Sequence, residues 1–149
     1  MIAALALSAS LNLLTPAGRE VAGTWAGPVA NCYGVDASVC MPGYSWFTVE
    51  PDGSYHGHTI ARKPGQGCLS LDADGWTGQL YKLDRQTYLA VNTDGPAGYL
   101  IQLSRDRTHG SSTYLGPDAG VLESNHLYRT RLDQDKLLRL VEPYRCPNP

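Results

Sequence analysis

Residues 76–104 read WTGQLYKL, DRQ, TYLAVNT, DGPA and GYLIQLS in turn, and this stretch decides the fold. Its three runs rich in aliphatic and aromatic residues are Trp76 to Leu83, Thr87 to Thr93 and Gly98 to Ser104. The connections between them are short and carry Asp, Gly and Pro, the residues that favour tight turns between antiparallel neighbours. The stretch therefore predicts three consecutive strands of an antiparallel sheet.

The same pattern continues on both sides of this stretch. Further strands are predicted at Val21 to Gly27, Tyr44 to Glu50, Ser54 to Arg62, Gly67 to Asp72 and Val121 to Arg131. Residues 105–120 are predicted to form a long connection. Eight short antiparallel strands in one domain tend to close, because closure removes the exposed sheet edges. We expect an all-β fold, an eight-stranded antiparallel up-and-down barrel.

The period of the pattern changes after the last predicted strand. Residues 132–141 (LDQDKLLRLV) place three apolar side chains on one helical face, namely Leu137, Leu138 and Val141. Asp133 and Asp135 precede them, where the helix dipole favours negative charge. A short C-terminal helix is predicted.

Length and charge limit the classes of partner. The chain has 149 residues and a formal net charge of -2, which suits a single domain. A nearly neutral chain offers no basic surface for nucleic acid or anionic membranes. We expect neither as a partner.

The first 18 residues contain no charged side chain, and the run from Ile2 to Leu14 is dominated by Ala and Leu. Small residues at Thr15 and Ala17 fit the positions before a signal-peptidase cleavage site. The pattern predicts a signal peptide over 1–17 and one mature domain over 18–149, secreted or periplasmic. The apolar run is too short to span a bilayer, so no transmembrane segment is expected.

The four cysteines show none of the paired spacing of a zinc site, and in an exported chain they are expected to oxidise. Three connectivities are possible. The spacing favours Cys32 with Cys40, which closes a short loop, and Cys68 with Cys146, which ties the C-terminal tail to the body. No metal or cofactor is predicted.

Three separated segments resemble motifs of the lipocalin family, whose members are eight-stranded barrels that hold small ligands in a central cup. Gly23-Thr24-Trp25 is similar to the first-strand motif whose tryptophan plugs the closed end. Thr93-Asp94, followed by Tyr99, is similar to the turn between the sixth and seventh strands, although Gly95 departs from the family's aromatic residue. Arg129-Thr130 resembles the arginine that ends the eighth strand and stacks on the plug tryptophan.

The resemblance implies further features. The segment Pro28 to Gly43 would take the place of the family's first loop, which lies across the open mouth. A bond between Cys68 and Cys146 would match the family habit of joining the tail to the barrel.

The chain has nine tyrosines and three tryptophans against a single phenylalanine. Aromatic rings with a polar group suit a cavity that holds a ligand by stacking and a few hydrogen bonds. The alternative is that β-propensity alone selects them as ordinary strand residues. Alternation leaves open which face is inside, and the residues predicted to line the cup are Trp46, His58, Tyr81, Tyr88, Tyr99 and Tyr128.

Catalytic signatures are absent from the sequence: there is no G-x-S-x-G and no phosphate-binding loop. His56-Gly57-His58 places two imidazoles on one face of a strand, but no third ligand is evident, so the sequence favours a solvated or hydrogen-bonded pair over a metal site. We therefore expect a protein without enzymatic activity that binds a small apolar or aromatic molecule. The alternatives are an exported inhibitor of a protease or lysozyme, acting through the 28–43 loop, and an interaction module of a larger exported assembly.

Overall fold

The computed structural model describes residues 14–33, 39–62, 65–71, 75–93, 97–115 and 123–147, with the backbone alone at 31–33, 39 and 123–125. The strands are β1 (Thr15–Pro16), β2 (Gly23–Tyr33), β3 (Val39–Val49), β4 (Ser54–Arg62), β5 (Leu69–Leu71), β6 (Trp76–Lys82), β7 (Thr87–Asn92), β8 (Gly98–Leu103), β9 (His109–Leu115) and β10 (Glu123–Thr130). A helix α1 (Gln134–Val141) and a 3-10 turn (Glu142–Tyr144) follow.

Eight of these strands form the closed antiparallel barrel that the sequence predicts. Each barrel strand pairs with its neighbour in chain order, β10 pairs with β2, and β4 pairs with β6. The short strands β1 and β5 are additions at the edges: β1 pairs with β6 and β5 with β4. The up-and-down topology and the C-terminal helix are confirmed.

The identity of one barrel strand was wrong in the prediction. The segment predicted from Gly67 to Asp72 contributes only Leu69–Leu71, which pairs with β4 outside the closed ring. The missing strand is β9, His109–Leu115, inside the stretch predicted as a long connection. Its sequence, HGSSTYL, is poor in the β-branched and large apolar residues that mark a strand. Pairing on both edges, with β8 and β10, holds it in the sheet.

The segment from Pro28 to Gly43 was also predicted wrongly, as a loop across the mouth. On both sides of residues 34–38, which lie outside the described residues, it is regular β-structure. The register of β2 with β3 runs without interruption to Tyr33 opposite Val39, whereas β3 pairs with β4 only as far as Gly43 opposite Ala61. The segment is therefore a hairpin that extends past the neighbouring strand β4.

One end of the barrel, the closed end, is covered by the segment before β2. Ala17 donates its backbone N–H to the carbonyl of Leu80 (2.8 Å), and Ala17 and Val21 belong to the buried core around Trp25. We call the opposite end, where the β2–β3 hairpin extends, the mouth.

The helix α1 begins after Asp133, whose side chain accepts from the backbone N–H of Lys136 (2.9 Å). It packs on the outside of the barrel, not over the mouth. Leu137 meets the outward-facing side chains of β2, β3 and β4 in a second, smaller core with Ala26, Trp46 and Ile60. The tail beyond the helix returns to β5, where Cys146 is bonded to Cys68. This disulfide is confirmed.

The predicted bond between Cys32 and Cys40 lies only partly within the described residues. Cys40 is disulfide-bonded and lies directly opposite Cys32 in the register of the hairpin, while the side chain of Cys32 lies outside the described residues. Most of the predicted signal peptide, residues 1–13, lies outside them as well. Within the described part of the chain, no helix is long and apolar enough to cross a membrane.

Candidate functional site

The barrel interior contains a small cavity between the core of the closed end and the mouth. Its volume is about 20 Å³. That is room for a water molecule, and far less than a drug-sized ligand needs. Inward-facing side chains of seven barrel strands line it: Ser45, Phe47, Tyr55, Trp76, Ala90, Tyr99, Ile101, Ser112 and Leu127.

A chain of aromatic rings crosses the barrel at this level. The ring centroids of Phe47 and Trp76 are 5.6 Å apart, those of Trp76 and Tyr99 are 5.7 Å apart, and those of Tyr99 and Tyr114 are 5.6 Å apart. Tyr55 packs edge-on against Trp76 at 5.6 Å. These separations lie in the favourable range for aromatic pairs, so the rings form one continuous layer.

The position of the Trp76 ring depends on a glycine on the next strand. A Cβ atom at Gly57 would lie 2.9 Å from Trp76 Cζ2 and 2.6 Å from Phe47 Cβ, too close for either side chain to stay in place. A glycine at this position therefore leaves the space that the indole occupies. The Trp76 Nε1 atom is buried and has no hydrogen-bond partner among the described residues.

The polar groups near the cavity are neutral. Ser45 Oγ and Thr59 Oγ1 are hydrogen-bonded to each other at 2.9 Å. Tyr55 donates its hydroxyl to Asn92 Oδ1 at 2.7 Å, and burial raises the pKa of this tyrosine above its ordinary value, which keeps the phenol protonated. None of the described residues that line the cavity carries a charged side chain.

Of the six residues predicted to line the cup, two lie inside the barrel and four lie on its outer face. Tyr88 and Tyr99 are inside, Tyr99 at the cavity and Tyr88, 0% exposed, in the core toward the closed end. The other four lie on the outer face of the barrel: Trp46, His58, Tyr81 and Tyr128.

Each outward position follows from alternation along its strand. Trp46 is 0% exposed because α1 covers it, and His58 packs against it with 5.9 Å between ring centroids. Tyr81 follows the inward-facing Leu80, and Tyr128 follows the inward-facing Leu127 and is 59% exposed.

Sequence analysis missed eight of the cavity residues, namely Ser45, Phe47, Tyr55, Trp76, Ala90, Ile101, Ser112 and Leu127. A signal for three of them was present. Trp25 pairs with Phe47, so placing Trp25 inside also places the Ser45–Phe47 face inside, and Phe47 pairs with Gly57, between Tyr55 and Thr59. Nothing in the sequence singles out Ser112, which lies on the strand that was not predicted.

The residues of the lipocalin resemblance have clear positions. The guanidinium carbon of Arg129 lies 5.7 Å from the centre of the Trp25 ring, and Arg129 donates from Nη2 to the backbone carbonyl of Ala22. Thr93 follows β7, so its turn joins the fifth and sixth strands of the ring, not the sixth and seventh. Asp94 and Gly95 lie outside the described residues.

The histidines of the His56-Gly57-His58 segment face outward. His56 is exposed, and its carbonyl accepts from Gln134 Nε2 of the helix at 2.9 Å. Among the described residues, no three His, Cys, Asp or Glu side chains lie close enough together to hold a metal ion.

The fold is consistent with the lipocalin resemblance at the level of architecture: eight antiparallel strands in a closed up-and-down ring, with a C-terminal helix outside it. Comparison with known proteins adds no family to this. The chain matches no protein-family model and no curated protein sequence.

Proposed function

We propose that this protein binds one small, apolar or aromatic molecule inside the barrel, non-covalently and without catalysis. The observation that carries the proposal is the cavity at the barrel centre, whose lining among the described residues includes four aromatic rings and no charged side chain. Binding sites for small molecules are typically concave and apolar, with a few polar groups that fix orientation. The hydroxyl groups of Ser45, Tyr55 and Ser112 at this cavity fit that description.

The size of the cavity restricts the ligand and requires a side chain to move. A cavity of about 20 Å³ does not accept an aromatic ring as it stands. Tyr99 lines the cavity and also contacts Tyr114, a partly buried ring at the edge of the core. We infer that Tyr99 swings aside when a one-ring ligand enters.

Titration with toluene, followed by NMR of the backbone amides, tests this proposal. We expect saturable shifts at one site, centred on Ser45, Ile101 and Ser112. Tyr99→Ala should bind toluene more tightly than the unchanged protein, because the smaller side chain leaves room for the ring that Tyr99 otherwise has to vacate.

Tyr128→Ala is the matched control, since this tyrosine lies on the outer face and is mostly exposed. Its affinity for toluene should equal that of the unchanged protein. If toluene shifts no resonance around the cavity, in either the unchanged protein or Tyr99→Ala, the barrel interior is not a ligand site and the proposal is wrong.

A second candidate, inhibition of a protease or lysozyme, is favoured by the β2–β3 hairpin. The hairpin continues beyond the last β3–β4 pair, and Pro42 on it is exposed. A projecting hairpin suits insertion into an enzyme cleft, and the disulfide of Cys40 would reduce the ordering needed on binding. Assays of the whole protein against a panel of proteases and a lysozyme test it. Inhibition that Pro42→Asp abolishes and Tyr128→Asp preserves would support it, and no inhibition at micromolar concentration would reject it.

Export to a secreted or periplasmic location is part of the proposal. The disulfide between Cys68 and Cys146 supports it, since such bonds persist in oxidising compartments. Fractionation of expressing cells should recover the oxidised protein outside the cytoplasm. Recovery only as reduced protein in the cytoplasm would contradict this location.

A further inference from the structure

We infer that the ligand is a neutral aromatic ring that carries a hydrogen-bond acceptor, and that Trp76 Nε1 donates to this acceptor. The inference rests on the proposed function and specifies the chemistry of the same site. It depends on two independent observations, the indole N–H of Trp76 and the charge of the cavity lining.

The first observation is that the indole N–H of Trp76 is a buried donor with no partner among the described residues. A buried donor without an acceptor is costly, because it has lost its hydrogen bond to water. The Trp76 side chain lines the cavity, so an acceptor on a ligand in the cavity could approach this indole. Other hydroxyl groups at the cavity already have partners: Tyr55 donates to Asn92, Ser45 is hydrogen-bonded to Thr59, and neither Tyr99 nor Ser112 is free. Trp76 is therefore the group best placed to distinguish a ring with an acceptor from one without.

The second observation concerns charge. The nine residues that line the cavity are all uncharged, and the only titratable groups among them are the phenols of Tyr55 and Tyr99. Burial raises the pKa of Tyr55, so this phenol is protonated at neutral pH and offers no counter-ion for a cation. An ion placed in this cavity would lose its hydration without gaining a partner of opposite charge. A neutral ligand is therefore favoured over a charged one.

Benzene and pyridine form a matched pair of probes, since they share ring size and shape and only pyridine carries an acceptor. At neutral pH pyridine is uncharged. Both are titrated into the whole protein, into Trp76→Phe and into Trp46→Phe, and dissociation constants are taken from NMR shifts. Trp46 is the control because its Nε1 atom is also buried without a partner among the described residues, but on the outer face under α1.

We expect Trp76→Phe to reduce the preference for pyridine over benzene by roughly twofold to tenfold, the range of a typical net hydrogen bond. Trp46→Phe should leave this preference unchanged. In the unchanged protein, pyridine should move the indole N–H resonance of Trp76 much further than benzene does, a measurement that needs no variant to fold.

Three results would overturn part of the argument. If neither probe binds, the proposed function itself fails. If both bind but Trp76→Phe keeps the preference and the indole resonance responds equally to both probes, only the role of Trp76 fails. If N-methylpyridinium binds as tightly as pyridine, the requirement for a neutral ligand is wrong and the rings act as an aromatic cage for cations.

Discussion

At the scale of single residues, Trp25 determines how the closed end of the barrel is filled. Its side chain is 2% exposed, and its Nε1 donates to the backbone carbonyl of Val21 at 2.9 Å. Arg129 lies over the ring, and Gly23 adopts a φ of 123°, a conformation that other residues rarely take. The indole thus fixes the turn before β2 and supports the guanidinium of β10 at once.

Replacing Trp25 with Ala should lower the free energy of unfolding by roughly 3–5 kcal/mol, because the core would lose a large ring and retain a cavity. Urea denaturation measures the change. Tyr128→Ala, on the exposed face, should change the value by less than about 0.5 kcal/mol. A loss below about 1 kcal/mol for Trp25→Ala would show that the indole is not a core residue.

The outward position of Trp46 shows why only part of the site could be predicted from the sequence. A large aromatic residue on a barrel strand is expected inside, since a barrel usually exposes its outer face to water. Here α1 covers that face, and Leu137 and Ile60 bury Trp46 as completely as an interior residue. Alternation gives two faces but does not say which one is inside, and the contact that decides it joins segments far apart in the chain.

At the scale of elements, three turns at the closed end are held by the same pattern of hydrogen bonds to an aspartate. Asp52, Asp84 and Asp106 each accept hydrogen bonds from residues two or three positions later in the chain. These bonds favour the ionised carboxylate, so the pKa of each aspartate in the folded protein lies below its ordinary value. The turns are therefore stronger when the aspartates are charged.

This predicts how stability depends on pH. A carboxyl group whose pKa is lowered on folding contributes stability that is fully present above its unfolded pKa, near 4, and is lost as the pH falls through the lower folded value. The free energy of unfolding should be nearly constant above about pH 5 and fall below it. Asp84→Asn combined with Asp106→Asn retains side-chain oxygens in both turns without their charges, and should flatten this decline. An equally steep decline in the double variant would contradict the assignment.

The strands themselves were predictable to different degrees. Ser54–Arg62 is observed with the bounds that the alternation predicts, and β6, β7 and β8 differ from their predicted bounds by one residue at most. These strands carry aromatic and β-branched residues and lie between clear turn signals. The strand β9 was not predictable in this way, because it consists largely of Gly, Ser and Thr and owes its structure to pairing on both edges.

At the scale of the whole molecule, the Cys68–Cys146 disulfide joins positions 78 residues apart. Such a bond limits the conformations of the unfolded chain, and a loop of this length gives roughly 3–5 kcal/mol by the chain-entropy estimate. Cys68→Ser combined with Cys146→Ser should lower the free energy of unfolding by that amount, measured under non-reducing conditions. A loss below about 1 kcal/mol would mean that the bond fastens the tail without stabilising the barrel.

The N-terminal boundary of the folded domain also belongs to this scale. Cleavage after Ala17, as the sequence predicts, would remove Thr15 and Pro16, which pair with β6, and Ala17 itself, which is 2% exposed. The carbonyl of Leu80 would lose its bond to the Ala17 N–H. One buried methyl group and one hydrogen bond together amount to about 2 kcal/mol.

A chain that begins at Gly18 should therefore be about 2 kcal/mol less stable than one that begins at Leu14, as judged by urea denaturation of the two purified proteins. The physical reason is that the shorter chain uncovers the core around Trp25 and leaves the edge of β6 without β1. If the protein is exported, sequencing of the mature N-terminus should accordingly find Thr15 retained, with cleavage at an earlier position. A mature chain that starts at Gly18 and is as stable as the longer one would show that β1 and Ala17 contribute nothing to the closed end.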